Sequence, residues 1–182
     1  MANKRQDLLL IVDDDAINRM IIKQLFEADY TIAEAENGRE GLQKILAAPD
    51  LLCAVLLDVV MPEMNGLEVL RRLNREGLLD RFPVFLITAE ASGQVLQEAY
   101  SLGVMDVIGK PVVPYVVRRR VQSVIELYQA RRRLSRTVES QQERLLRQAE
   151  EIIDLNQGMV EALAAAIEFR SEESGDHVRR IH

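Results

Sequence analysis

The sequence predicts a doubly wound α/β domain, a five-stranded parallel sheet with helices on both faces, followed by one long α-helix. Three observations lead there. Five short apolar runs alternate with four amphipathic segments before Pro114. After Pro114 there is no further proline, and apolar residues recur every three and four positions. Charge divides at the same place: residues 1–112 carry 11 Lys/Arg against 18 Asp/Glu, and residues 113–182 carry 12 against 11, every basic residue there being Arg.

The elements follow in order. Leu8–Val12 is an unbroken apolar run stopped by Asp13-Asp14-Asp15, too short for a buried helix and apt for a buried strand. Ala16–Ala28 has helical apolar spacing. Tyr30–Ala35 is the second strand, and Asn37-Gly38 separates it from a helix over Arg39–Ala47. Ala48-Pro49-Asp50 precedes a third strand at Cys53–Leu57, and Gly66–Arg75 forms the next helix. Arg81-Phe82-Pro83 introduces a strand at Val84–Ile87, Ser92–Leu102 a helix, and Asp106–Ile108 a last strand closed by Lys110-Pro111. Strands of about five residues separated by helices of about ten or more give successive βαβ units.

From Val116 to Phe169 there is no proline and one glycine, Gly158. One heptad series runs Val124, Arg131, Val138, Leu145, Ile152, Met159, Ala166, and its companion Leu127, Leu134, Gln141, Gln148, Leu155, Ala162, Phe169. A seam repeating every 3.5 residues with so few polar interruptions predicts a coiled coil and, most simply, a parallel homodimer. Arg131, Gln141 and Gln148 weaken the seam locally and set its register.

Composition excludes several classes. Hydrophobic residues are 48% and charged residues 29%, so the chain can build a core and stay in water. The opening "MANKRQDLLLIVDDD" has no signal-peptide pattern, and no stretch reaches the roughly 20 apolar residues of a membrane span, so a cytoplasmic location with no membrane partner is expected. Cys53 is the sole cysteine and sits in an apolar run, as a small core residue. Residues 118–147 hold nine Arg and three Glu, but with no helix-turn-helix pattern and no interleaved aromatics they read as a solvated helix face, and no nucleic-acid partner is expected.

The chemistry gathers at strand ends. In open α/β sheets ligands bind beyond the carboxyl ends of the strands. There the sequence puts Asp13, Asp14 and Asp15 after the first strand, Asp58 after the third, Thr88 after the fourth and Lys110 after the fifth. Carboxylates brought that close repel one another and call for a cation, and a hard divalent ion such as Mg²⁺ suits oxygen ligands. With a lysine and a hydroxyl added, the pocket suits a phosphoryl group, Asp58 being the nucleophile.

These residues stand in "LLLIVDDDAINR", "AVLLDVVMPEMNG", "FLITA" and "VIGKP", and over roughly residues 6–125 the chain resembles a two-component response-regulator receiver (CheY-like) domain, with its flavodoxin-like fold. The resemblance implies that Asp13 and Asp14 bind Mg²⁺ together with Asp58 and the backbone carbonyl of Val60. It implies that Asp58 accepts phosphate from a histidine kinase or phosphotransfer protein, with Thr88 as switch hydroxyl and Lys110 as phosphate-pairing lysine. Asp15 reads instead as a helix N-terminal acid. Many receivers carry an aromatic residue three positions before the lysine; here it is Val107, so output coupling would use the loop after the fourth strand and the last helix. Glu90, two residues after Thr88, is expected at the pocket mouth as a solvated acid.

The closing stretch "EALAAAIEFRSEESGDHVRRIH" resembles the opening of an HD-GYP domain, a metal-dependent cyclic di-GMP phosphodiesterase. That resemblance implies that Glu173 and His177, on a short loop, belong to an incomplete output-domain metal site. No His-Asp dipeptide and no Gly-Tyr-Pro triplet follows, so no hydrolysis is expected of these residues alone. The expected organisation is a receiver at 1–125, a coiled-coil signalling helix at 126–158, and the start of an output domain at 159–182. One alternative is a stand-alone receiver acting as a scaffold or phosphate sink. Another is an aspartate-nucleophile phosphatase using Asp13-x-Asp15, which explains fewer residues.

Overall fold

The computed structural model describes residues 7–89 and 92–179, with side chains through residue 165 and at 167. Two compact units result, Met1–Arg131 and Arg132–His182.

The first unit contains β1 (Leu8–Val12), α1 (Ala16–Phe26), β2 (Thr31–Ala35), α2 (Gly38–Ala47), β3 (Leu52–Asp58), α3 (Gly66–Arg75), β4 (Val84–Thr88), α4 (Gly93–Leu102), β5 (Asp106–Gly109) and the opening turns of α5 (Pro114–Arg179). The strands form one parallel sheet in the order β2-β1-β3-β4-β5. This is the five-stranded doubly wound fold that the alternating pattern predicts. Every residue of β3 is buried, which is why it reads as a continuous apolar run and not as an alternating one.

Side chains alternate across the sheet, so two cores form. On one face Leu10, Val12, Val55, Leu57 and Leu86 pack with Ile45, Val69, Leu70, Leu73 and Ala99 of α2, α3 and α4. On the other, Leu9, Ile11, Leu56, Phe85 and Ile87 pack with Ile22 and Phe26 of α1 and with Val117, Val121 and Ile125 of α5. Cys53 is buried on that second face.

Helix starts are set by side-chain caps. Asp15, Asn37, Asn65 and Ser92 accept hydrogen bonds from the first turns of α1, α2, α3 and α4, and Asn65 with Glu68 forms a capping box. Asn37-Gly38 thus opens α2 one residue earlier than the pattern suggests. Gly103 ends α4 at φ 97°, a conformation that favours glycine.

The opening of α5 is held to the sheet by its buried Val117, Val121 and Ile125 and by ion pairs from Arg118 to Asp29 (2.6 Å) and Arg120 to Asp106 (3.4 Å). Among the described residues of the second unit the helix has no core. Leu134, Val138, Leu145, Ile152, Leu155 and Met159 of the heptad series are exposed, and Leu146, Ile153, Val160 and Leu163 form a second exposed stripe offset by one residue. The backbone stays helical through Arg179, so the stretch around Ser171–His177 is helix where the sequence predicts a short loop. It contains no proline to stop propagation. Among the described residues no helix is long and apolar enough to cross a membrane.

One glycine governs the loop that follows β3. A Cβ on Gly66 would lie 2.2 Å from the Asp58 carbonyl oxygen and 3.0 Å from Val59 Cα, both backbone atoms that cannot step aside. Gly66→Ala is therefore expected to lose about 1–3 kcal/mol in urea unfolding, the usual cost of overpacking. Gly93→Ala, where a Cβ meets nothing within 4 Å, should change stability by about 0.5 kcal/mol or less.

Candidate functional site

The strand order reverses between β1 and β3, since α1 crosses to one side of the sheet and α3 to the other. This opens a crevice at their carboxyl ends. Asp13 follows β1 directly and is 1% exposed; Asp58 ends β3 at 6%. Asp14 is exposed beside them. One carboxylate oxygen from each of the three lies within 4.8 Å of the others.

Lys110 enters from the end of β5. Its Nζ lies 2.9 Å from Asp13 Oδ2 and 2.6 Å from Asp58 Oδ2. Its own N–H donates to the Thr88 carbonyl at 2.8 Å, which ties the lysine to the end of β4. Thr88 is 1% exposed and follows Ile87, the β4 partner of Asp58. The Val59 N–H donates to Asp58 Oδ1 at 2.7 Å. The Asp15 N–H donates to Asp13 Oδ1 at 2.9 Å, and Asn18 Nδ2 reaches the same oxygen at 3.4 Å. Among the described residues the Asp14 carboxylate has no hydrogen-bond partner.

Charge is in tension here. Burial pushes the Asp58 carboxyl above the usual aspartate range, and the Asp13 charge adds to that; Lys110 and the Val59 N–H oppose it without cancelling it. Burial acts to lower the Lys110 ammonium, but hydrogen bonds to Asp58 and Asp13 outweigh it and hold the ammonium above its usual range. Two buried carboxylates and an exposed third, facing one lysine, leave excess negative charge. Hard oxygen donors at this spacing fit a Mg²⁺ ion, which keeps several waters and takes only a few protein ligands.

Asp13, Asp14, Asp58 and Lys110 thus converge, with Thr88 on the adjoining strand end. Val60 stands two residues beyond Asp58 on the β3–α3 loop, its side chain exposed. Asp15 caps α1, accepting from the Ile17 N–H at 2.7 Å. Val107 is half-buried against the core shared with α4. Glu90 and the side chains of Glu173 and His177 lie outside the described residues.

Arg19 is a member of the site's surroundings that motif reading misses. It is 8% exposed, and its Nη1 donates to the carbonyls of Asp13 (2.8 Å) and Asp14 (3.2 Å). Glu36 Oε1 accepts from its Nη2 at 3.1 Å, and Glu34 lies 3.7 Å from its Nε. The signal was present: Arg19 shares its helix face with Ile22 and Phe26, and a charged residue there must be bonded inside.

Residues 9–122 match the family described as the response regulator receiver domain. The chain is 29% identical over 180 residues to a probable cyclic di-GMP phosphodiesterase of Vibrio cholerae, covering 99% of this chain and 40% of that protein. It is 29% identical over 177 residues to the cyclic di-GMP phosphodiesterase response regulator RpfG of Xanthomonas campestris pv. campestris, covering 95% of this chain and 46% of that one. It therefore spans less than half the length of either relative. Among solved structures, the CheX-CheY-BeF3-Mg complex from Borrelia burgdorferi superposes with a TM-score of 0.61 at 28% identity, over 65% of this chain and 88% of that one.

Proposed function

This chain belongs to the response regulator receiver family, and from that premise we propose that Asp58 accepts a phosphoryl group from a histidine kinase or phosphotransfer protein in a Mg²⁺-dependent reaction. The observation that carries the reading is the convergence of Asp13, Asp14 and Asp58 within 4.8 Å, with Lys110 bonded to two of them. Asp13, Asp14, Asp58 and the Val60 carbonyl would hold the ion. When bound, Mg²⁺ neutralises charge on the phosphoryl oxygens.

The chain's own residues do the rest. An Asp58 carboxylate oxygen attacks phosphorus, forming a P–O bond while the P–N bond to the donor imidazole breaks and its electron pair leaves with the nitrogen. The Val59 N–H holds the other Asp58 oxygen and so orients the attack. Lys110 supplies a fixed positive charge beside the phosphoryl oxygens, and the Thr88 hydroxyl donates to one of them. Transfer neutralises the Asp58 carboxylate as an acyl ester but brings a phosphoryl group of about two negative charges beside Asp13 and Asp14, so the product needs the positive charge of Lys110.

The output runs through α5. We assign 1–125 to the receiver, 126–158 to a coiled-coil signalling helix, and 159–182 to the start of an HD-GYP-like output domain in which Glu173 and His177 begin a metal site. The regulated activity is then cyclic di-GMP hydrolysis by residues beyond this sequence, and the location is cytoplasmic. Similarity to two cyclic di-GMP phosphodiesterases along almost the whole chain supports this. The exposed seam of Leu134, Val138, Leu145, Ile152 and Leu155 supports a parallel homodimer. Nothing in α5 favours nucleic acid as a partner. With Val107 in place of an aromatic switch, the signal reaches α5 through the β4–α4 loop and the packing of Val117, Val121 and Ile125.

Two outcomes are expected. With Mg²⁺ and acetyl phosphate, intact mass rises by one phosphoryl group and peptide mapping puts it on Asp58. Asp58→Asn takes up none, and Asp13→Asn slows uptake by more than about 10-fold at limiting Mg²⁺; normal uptake by Asp58→Asn contradicts the assignment. By light scattering the chain has twice the 20.7 kDa mass of one copy, and Ile152→Glu reduces it to one. A wild-type chain that stays single at high concentration, with and without beryllofluoride, rules out the seam as a dimer interface.

A further inference from the structure

We propose that Arg19 is a positioning residue for the divalent-cation site, holding the Asp13–Asp14 backbone so that both carboxylates meet Asp58 at one point. The proposal rests on the metal reading above and concerns how this chain prepares that site.

The geometry is that of a clamp. One guanidinium nitrogen donates to the carbonyls of two consecutive residues, Asp13 at 2.8 Å and Asp14 at 3.2 Å. The Asp13 N–H is fixed separately, donating to the Ala35 carbonyl at 3.2 Å. Two successive peptide units are thereby oriented at the turn between β1 and α1, and their side chains leave that turn toward the crevice. The other edge of the guanidinium is anchored by Glu34 of β2 at 3.7 Å and by Glu36, just past its end, at 3.1 Å. Lys23 in turn holds Glu34 at 2.7 Å. A rigid planar fork with several donors can satisfy all of these at once, whereas a lysine ammonium cannot.

Charge cannot be the reason for Arg19. A buried positive group behind the carbonyls of two metal ligands opposes a divalent cation by Coulomb's law. Its own charge is balanced by Glu34 and Glu36, which leaves geometry as its contribution. Outer groups that orient metal ligands commonly govern affinity in this way.

This opposition of signs makes the test decisive. Mg²⁺ affinity is measured by calorimetry on the full chain for wild type, Arg19→Met, Arg19→Lys and Ile45→Val, the last a distant core change that lowers stability without touching the site. Charge alone predicts that Arg19→Met binds Mg²⁺ more tightly. Positioning predicts the reverse: Arg19→Met weakens binding by about 10–100-fold, Arg19→Lys weakens it despite keeping the charge, and Ile45→Val leaves it unchanged. A folded Arg19→Met chain that binds as tightly as wild type, or more tightly, overturns the proposal. If Arg19→Met does not fold, Arg19→Lys decides on the same terms, weaker binding supporting the clamp and unchanged binding overturning it. Wild-type protein that binds no Mg²⁺ removes the metal reading and this proposal together, whereas wild-type binding with unaffected variants removes only this proposal.

Discussion

Like charge held together out of water is the constraint around which this molecule is arranged. Asp13 and Asp58 are almost fully buried at the ends of neighbouring strands, with Asp14 within reach of both. Left alone, such a cluster would take up protons or push the strand ends apart. The fold answers the charge with Lys110 from the end of β5, which binds two of the carboxylates, while Arg19 behind the loop binds the carbonyls of Asp13 and Asp14. Neither removes the tension, since the Asp58 carboxyl is still pushed above its usual range. Three carboxylates facing one lysine leave the site short of positive charge, a setting that suits a divalent ion with oxygen ligands.

The architecture exists to hold that tension. Parallel strands bring Asp13, Asp58, Thr88 and Lys110 to one edge of the sheet, and the reversal between β1 and β3 opens the crevice there. β3 carries Asp58 and, like β4, is buried along its whole length. Gly66 lets α3 start against the Asp58 carbonyl, which keeps the following loop tight. On the other face, Val117, Val121 and Ile125 pack α5 on the same strands.

Much of this was legible in the residues. Apolar runs of about five, separated by helical patterns, identified all five strands; β3 and β4 are buried on both faces and leave no polar alternation, while the partly buried β2 and β5 are marked by the turn residues beside them. Asp13, Asp14, Asp58 and Lys110 were legible because their place in the fold is set by strand ends, which the turn residues mark. Element limits were less so: α1 stops at Phe26 and not at Ala28, since Glu27, Asp29 and Tyr30 turn back onto its last carbonyls. That Arg19 is bonded inside was legible from its apolar helix face, but that it binds the Asp13 and Asp14 carbonyls was not, because carbonyls have no signature in a sequence.

Unfolding of wild type and Asp58→Asn, compared in metal-free buffer across pH, tests the central constraint most directly. A carboxyl whose folded pKa lies above its unfolded value, near 3.8, opposes folding once it ionises. Its cost is absent below that pH, grows as pH rises through the unfolded and then the folded pKa, and is constant above both. The account predicts that Asp58→Asn, which cannot ionise, is more stable than wild type at neutral pH, with the gap closing as pH falls toward 3.8. A variant equal to or less stable than wild type at neutral pH would contradict it, because Lys110 would then have compensated the Asp58 charge in full.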